Sequence, residues 1–146
     1  GSEMCKETGD DDAREWADHA EREWRLFAES TNCDVTRTQN FYGLTALVFR
    51  SSLESGDALA LLPTIRRPNH PYGLSVQIIE ADRVCNPDWK PDTDTLIAGI
   101  ELDQWGAPIA YHVSNKHPGA IGRVAGAKWT RVTAFGSSTG RRNALH

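Results

Sequence analysis

The stretch "GIELDQWGAPIAYHV", Gly99 to Val113, decides how the second half of the chain is read. It gathers an acid, an amide, a tryptophan and a histidine within a few residues, which suits either a catalytic cluster or a hairpin. Ile100 and Leu102 fall on one side of an extended chain, and Gly99, Glu101 and Asp103 fall on the other. The "DQWG" that follows carries turn chemistry: Asp103 first, to bond the backbone, and Gly106 last, to accept positive φ. On the return, Ile109, Tyr111 and Val113 alternate with Ala110 and His112. Strand, four-residue turn and strand predict a β-hairpin whose structural turn residues are Asp103 and Gly106. Hydrolysis needs a nucleophile, a base and an orienting acid within hydrogen-bond reach. His112 is expected on the face opposite Tyr111 and away from Asp103, with Ser114 sharing its face by spacing alone. The cluster reads as sidedness, and no catalytic residue is assigned.

Outward from the hairpin, "LSVQIIEADRV" alternates Leu74, Val76 and Ile78 against Ser75 and Gln77, a half-buried strand. "DALALLPTI", Asp57 to Ile65, reads as another strand whose far end Pro63 demotes to an edge. "KWTRVTAF" offers a last strand, while "RRPNHPYG", "CNPDWKPDTDT" and the Gly-rich Ser114–Ala127 segment read as loops, the last a long mobile connection. Ahead of them lie two helical patterns. Trp16, Ala20, Trp24 and Phe27 recur at helical spacing and predict a core stripe, on a helix opening at the acidic Asp10–Asp12 and ending near Ser30. A second helix is expected to begin between Asp34 and Thr38 and to stop at Gly56, the residue that best accepts a left-handed cap. Short polar linkage predicts that the two pack as an antiparallel pair.

The fold class is therefore α+β: an N-terminal pair of amphipathic helices, then a small antiparallel β-sheet or barrel of about five to six strands. One domain is expected, with residues 1–9 as a tag scar and flexible start, 10–55 helical and 56–146 β-rich and wing-like, the whole cut from a longer protein. Charge divides unevenly: through Asp34 there are 11 acids against 4 bases, and from Val35 onward 9 against 12. An acidic front disfavours contact with phosphates there, and the basic pairs Arg66-Arg67 and Arg141-Arg142 are too sparse for a nucleic-acid patch. Cys5, Cys33 and Cys85 form no C-x-x-C pair and read as free thiols. "GRVAGAKW" lacks the Gly-Lys-Ser/Thr of a phosphate-binding loop. His70, His112 and His117 show no metal-ligand spacing, and Glu80 with Asp82 reads as a solvated strand edge. No cofactor, metal or membrane span is indicated, since no apolar run approaches ~20 residues.

The order of segments carries a resemblance. Trp24, Phe27, Cys33 and Asp34 precede a helix closing on "SGDALALL"; then come Gln77, Glu80, Asp82 and Arg83 of the "lQliEadRi" type. Gly99-Ile100-Glu101, Asp103, Gly106, Ala110-Tyr111-His112, His117-Pro118-Gly119 and Leu145-His146 follow. Over about residues 13 to 146 the chain resembles the lambda-type portal proteins of tailed phages. That resemblance implies a structural, non-enzymatic subunit of a ring, usually dodecameric, at one capsid vertex, in the virion or in the host cytoplasm during assembly. The implied partners are other portal subunits, the terminase motor, capsid or scaffold proteins and head-completion proteins. DNA would pass through the channel of the full-length ring, with this piece forming part of the outer wing. Two other readings stand beside it: a small β-barrel interaction module unrelated to portals, and a hydrolase-like enzyme using His112.

Overall fold

A computed structural model describes residues 2–117, 119 and 126–146. Helix α1 spans Ser2–Ala28, so the acidic run at Asp10–Asp12 lies inside the helix rather than at its start. Among the described residues its ring contacts with other elements come from its last turns. Phe27 and Ala28 are buried, whereas Trp24 is 44% exposed and Trp16 71%. Of the expected stripe, Ala20 is half-buried and Phe27 alone is fully covered. The 3.6-residue period identifies a helix with an apolar face; it does not say that anything rests on that face.

After α1 a short 3₁₀ turn, Thr31–Cys33, begins at Ser30, whose hydroxyl accepts from the Asn32 amide at 3.1 Å. Asp34 then organises the link. Its carboxylate accepts from the backbone amides of Thr36, Thr38 and Gln39 and from both threonine hydroxyls, at 2.6 to 3.2 Å. These bonds hold residues 36–39 in a turn, so helix α2 (Phe41–Ser55) starts later than the sequence pattern predicts. Asn40 caps it by accepting from the Gly43 amide, and Gly56 closes it at φ +77°. The ring contacts between the two helices lie where α1 ends and α2 begins, with Trp24 edge-on to Phe41 at 4.9 Å.

Among the described residues seven short strands follow: β1 Leu59–Leu61, β2 Gln77–Ile79, β3 Leu96–Ile97, β4 Ile100–Leu102, β5 Pro108–Ser114, β6 Trp129–Thr133 and β7 Ala144–Leu145. The two additions to the expected set, β3 and β7, are two residues long and too short to show a period. One antiparallel sheet has the order β2-β1-β7 and the other β3-β4-β5-β6. Among the described residues the sheets do not close into a barrel. The strand expected through Val84 ends at Ile79, because Ala81–Arg83 forms a 3₁₀ turn and the Arg83 guanidinium donates to the Ser114 carbonyl at 2.9 Å. Half of the Gly-rich connection expected over 114–127, residues 118 and 120–125, lies outside the described residues.

Two apolar clusters cover the two faces of the β2-β1-β7 sheet. Leu59, Ile79 and Ala144 pack with Tyr111, Val113 and Ala134 of the second sheet and its flank. Ala60, Leu62, Val76 and Ile78 instead turn toward Phe27, Ala28, Cys33 and Leu44 of the helical layer. The β2 segment thus has apolar contacts on both faces, with Ile79 buried and Gln77 and Ile78 half-buried. The fold is a three-layer α+β arrangement of helices, sheet and sheet.

Candidate functional site

The hairpin that concentrates polar side chains is built from β4 and β5. The Gly106 amide donates to the Asp103 carbonyl at 3.0 Å, and Asp103 Oδ1 accepts from the amides of Trp105 and Ala107 at 2.9 and 2.8 Å. With Gly106 at φ +83°, this is a tight turn followed by a glycine bulge. Trp105 stands at the tip, 82% exposed.

Register then decides which side chains meet. Glu101 lies opposite Ala110, and His112 opposite Arg131, so Glu101, His112 and Arg131 share one face of three adjacent strands. Glu101 Oε1 stands 3.2 Å from His112 Nε2, and Glu101 Oε2 takes the Arg131 Nε–H at 2.8 Å and Nη2–H at 2.5 Å. Hydrogen bonding from Arg131 first, with His112 adding to it against the effect of burial, holds the Glu101 carboxyl below the usual range. Diagonal cross-strand pairs of this kind tie neighbouring strands together. The sequence pattern sets His112 apart from Asp103, and the acid it meets is Glu101. His117 Nε2 lies 3.6 Å from Glu80 and 3.4 Å from Asp82 on an exposed edge. A third pair, His146 Nε2 with Asp57 Oδ2 at 2.7 Å, joins the end of β7 to the start of β1.

None of these pairs assembles a nucleophile with a base. The Ser114 hydroxyl accepts from the Lys116 amide at 3.2 Å, and Glu101 is committed to Arg131. Among the described residues no three His, Cys, Asp or Glu side chains are placed to share a metal ion. What the hairpin face does is hold the sheet.

Two further features were invisible in the sequence. Gly99, at φ +81°, sits so close to the Cys85 backbone that an added Cβ would stand 2.5 Å from its nitrogen. Asn86, buried, accepts from the Gly99 amide at 2.6 Å and donates to the Lys90 carbonyl and Asp92 Oδ1 at 2.9 and 2.8 Å. Asp92 Oδ1 in turn takes the Ala98 amide at 2.9 Å, which folds the Pro- and Asp-rich loop against the hairpin. The second feature is an apolar groove of about 430 Å³ between α2 and the β2-β1-β7 sheet, lined by Leu44, Val48, Ala60 and Ile78 among others, with Leu145 and His146 at one end.

The fold is thus a helical layer on two small sheets, in which the hairpin's polar side chains are spent on turns and ion pairs. Residues 2–146 match the family described as phage portal protein, lambda family, and the chain belongs to that family. A probable portal protein of Halomonas phage phiHAP-1 is 29% identical over 117 residues, covering 78% of this chain and 22% of that relative. Portal protein B of Escherichia phage lambda is 24% identical over 127 residues, 85% of this chain and 23% of the relative. The chain thus spans under a quarter of the length of these two relatives.

Proposed function

We propose that this chain is a structural, non-enzymatic part of a portal ring through which phage DNA is packaged and ejected. The match to the lambda portal family along residues 2–146 carries the reading. Support comes from where the residues that carry the resemblance fall. Gly99, Asp103 and Gly106 occupy positions with backbone roles, and Tyr111 is 2% exposed in the core, so the motif specifies an architecture. In this reading the subunits surround the DNA without this piece gripping it, which suits its acidic front. Other portal subunits, the terminase, capsid or scaffold proteins and head-completion proteins are its partners, and the portal vertex of the virion is its place, reached from the host cytoplasm during assembly. No helix among the described residues is long and apolar enough to cross a membrane. The test is electron microscopy of the full-length parent: closed rings are expected, and a protein that stays monomeric under all assembly conditions refutes the reading.

A further inference from the structure

Between Cys85 and Gly99 the backbone is held where most side chains resist it. Asp88, Trp89 and Ala98 stand at φ +55°, +58° and +50°, and Gly99 at +81°. Asp tolerates the left-handed region, but bulky Trp and Ala do not, so Trp89 and Ala98 are strained. Ala98 and Gly99 are the two residues that join β3 to β4. With positive φ at both, this is the hairpin turn in which Asn-Gly is the relaxed pair, and Ala stands where Asn belongs. Strain of this kind persists only where surrounding contacts over-determine it.

Those contacts are few. Asn86 takes the Gly99 amide and donates to Asp92, which takes the Ala98 amide, so the two ends of the segment are tied together. Trp89 stands edge-on to Trp129 of β6 with ring centroids 5.3 Å apart, and Trp129 donates its indole N–H to Cys85 Sγ at 3.4 Å. The segment also carries β3, which pairs Leu96 with Glu101 and Ile97 with Ile100, while the Thr95 carbonyl takes the Leu102 amide at 2.8 Å. Of residues 86–98 only Asn86 is buried, and none belongs to either apolar cluster.

We infer that residues 86–98 form a sprung strap over the outer edge of β4, which opens as a unit while both apolar clusters stay packed. Asn86 is its tie, and Trp89 on Trp129 is its latch. Opening lets Trp89 and Ala98 relax, gives up the β3 pairing, and bares the Cys85 thiol with the β4 edge. A segment with little apolar burial and stored strain belongs to the low end of local stability, from which moving parts are drawn. This device stands independently of the portal reading.

Thiol labelling tests it. In a Cys5→Ser background the remaining cysteines are Cys33, buried in the helical cluster, and Cys85 beneath the latch. Each is timed with an aromatic disulfide reagent in buffer and in urea below the unfolding transition. Cys85 is expected to react at least about tenfold faster than Cys33, with a shallower dependence on urea, since a local opening exposes little surface. Val76→Ala, in the helical cluster, should speed Cys33 and leave Cys85 unchanged, because the closed and open forms lose the same contacts. Two strap variants should move Cys85 in opposite directions. Asn86→Ala removes the tie and speeds labelling at least about tenfold. Ala98→Asn supplies the residue this turn accepts and slows labelling about fivefold. Cys85 that reacts only in step with Cys33, in urea or in Val76→Ala, overturns the strap. A Cys85 rate indifferent to both Asn86→Ala and Ala98→Asn overturns it as well.

Discussion

Asp34 shows how one side chain sets the geometry of a helix junction. It is 3% exposed, and burial by itself raises a carboxyl pKa; the bonds from Thr36 and Thr38 outweigh that and hold it at about 2. Its backbone is engaged as well, since Arg67 donates to the carbonyls of Asp34 and Val35 at 3.3 and 2.8 Å. A depressed carboxyl pKa contributes stability above the unfolded value near 4, and that stability is lost as pH falls through about 2. A shift of this size corresponds to roughly 2 kcal/mol at neutral pH. Chemical denaturation of Asp34→Asn is therefore expected to give a loss of about 2 kcal/mol at pH 7 that shrinks toward zero near pH 2. A difference that stays constant with pH would show that shape, and not charge, matters there. Little of this was legible in "CDVTRT". An Asp followed by threonines two and four residues on suggests a local turn, but its burial depends on Val76, whose amide donates to the Cys33 carbonyl at 2.7 Å from a distant segment.

At the scale of elements, sequence signals worked where the backbone itself made the demand. Gly56 marks the end of α2 because the helix terminus needs a left-handed residue, a requirement written locally. The face of α1 was harder to read, since the stripe from Trp16 to Phe27 gives a direction and not a neighbour. The Glu101–His112–Arg131 set was out of reach for a different reason. It requires the bulged register of β4 on β5 and the docking of β6, neither of which alternation specifies. The hairpin's attachment to the Cys85–Ala98 loop yields a sharp test. Gly99→Ala adds a methyl against the Cys85 backbone at a positive φ, so both strain and collision oppose it. A loss of about 2–4 kcal/mol is expected by thermal or urea unfolding. An equally stable variant would mean that the loop does not pack against β4 in solution.

For the whole molecule, the middle sheet is the part on which both clusters depend. Leu59 is fully buried against the second sheet, while its neighbour Ala60 faces the helical layer. Leu59→Ala should cost about 2–5 kcal/mol through lost contacts and the cavity left behind. Because β1 serves both layers, the near-ultraviolet signals of Tyr111 on one side and Phe27 and Trp24 on the other should be lost in a single transition. Two separated transitions would show that the layers are independent. The α+β class and the helices-before-strands order were readable from hydrophobic period alone. The division into two sheets was not, because β3 and β7 are set by partners far away in the chain and not by any pattern of their own.

The pairing of β7 with β1 brings Ala144 beside Leu61 and Leu145 beside Ala60. During synthesis the ribosome delivers β1 long before its outer neighbour, so the nascent chain must wait with Leu59 incompletely sheltered until β7 leaves the exit tunnel. Contacts of such long sequence separation slow the closing step and lengthen exposure of sticky surface. A chaperone that recognises short apolar segments would find its window in that interval.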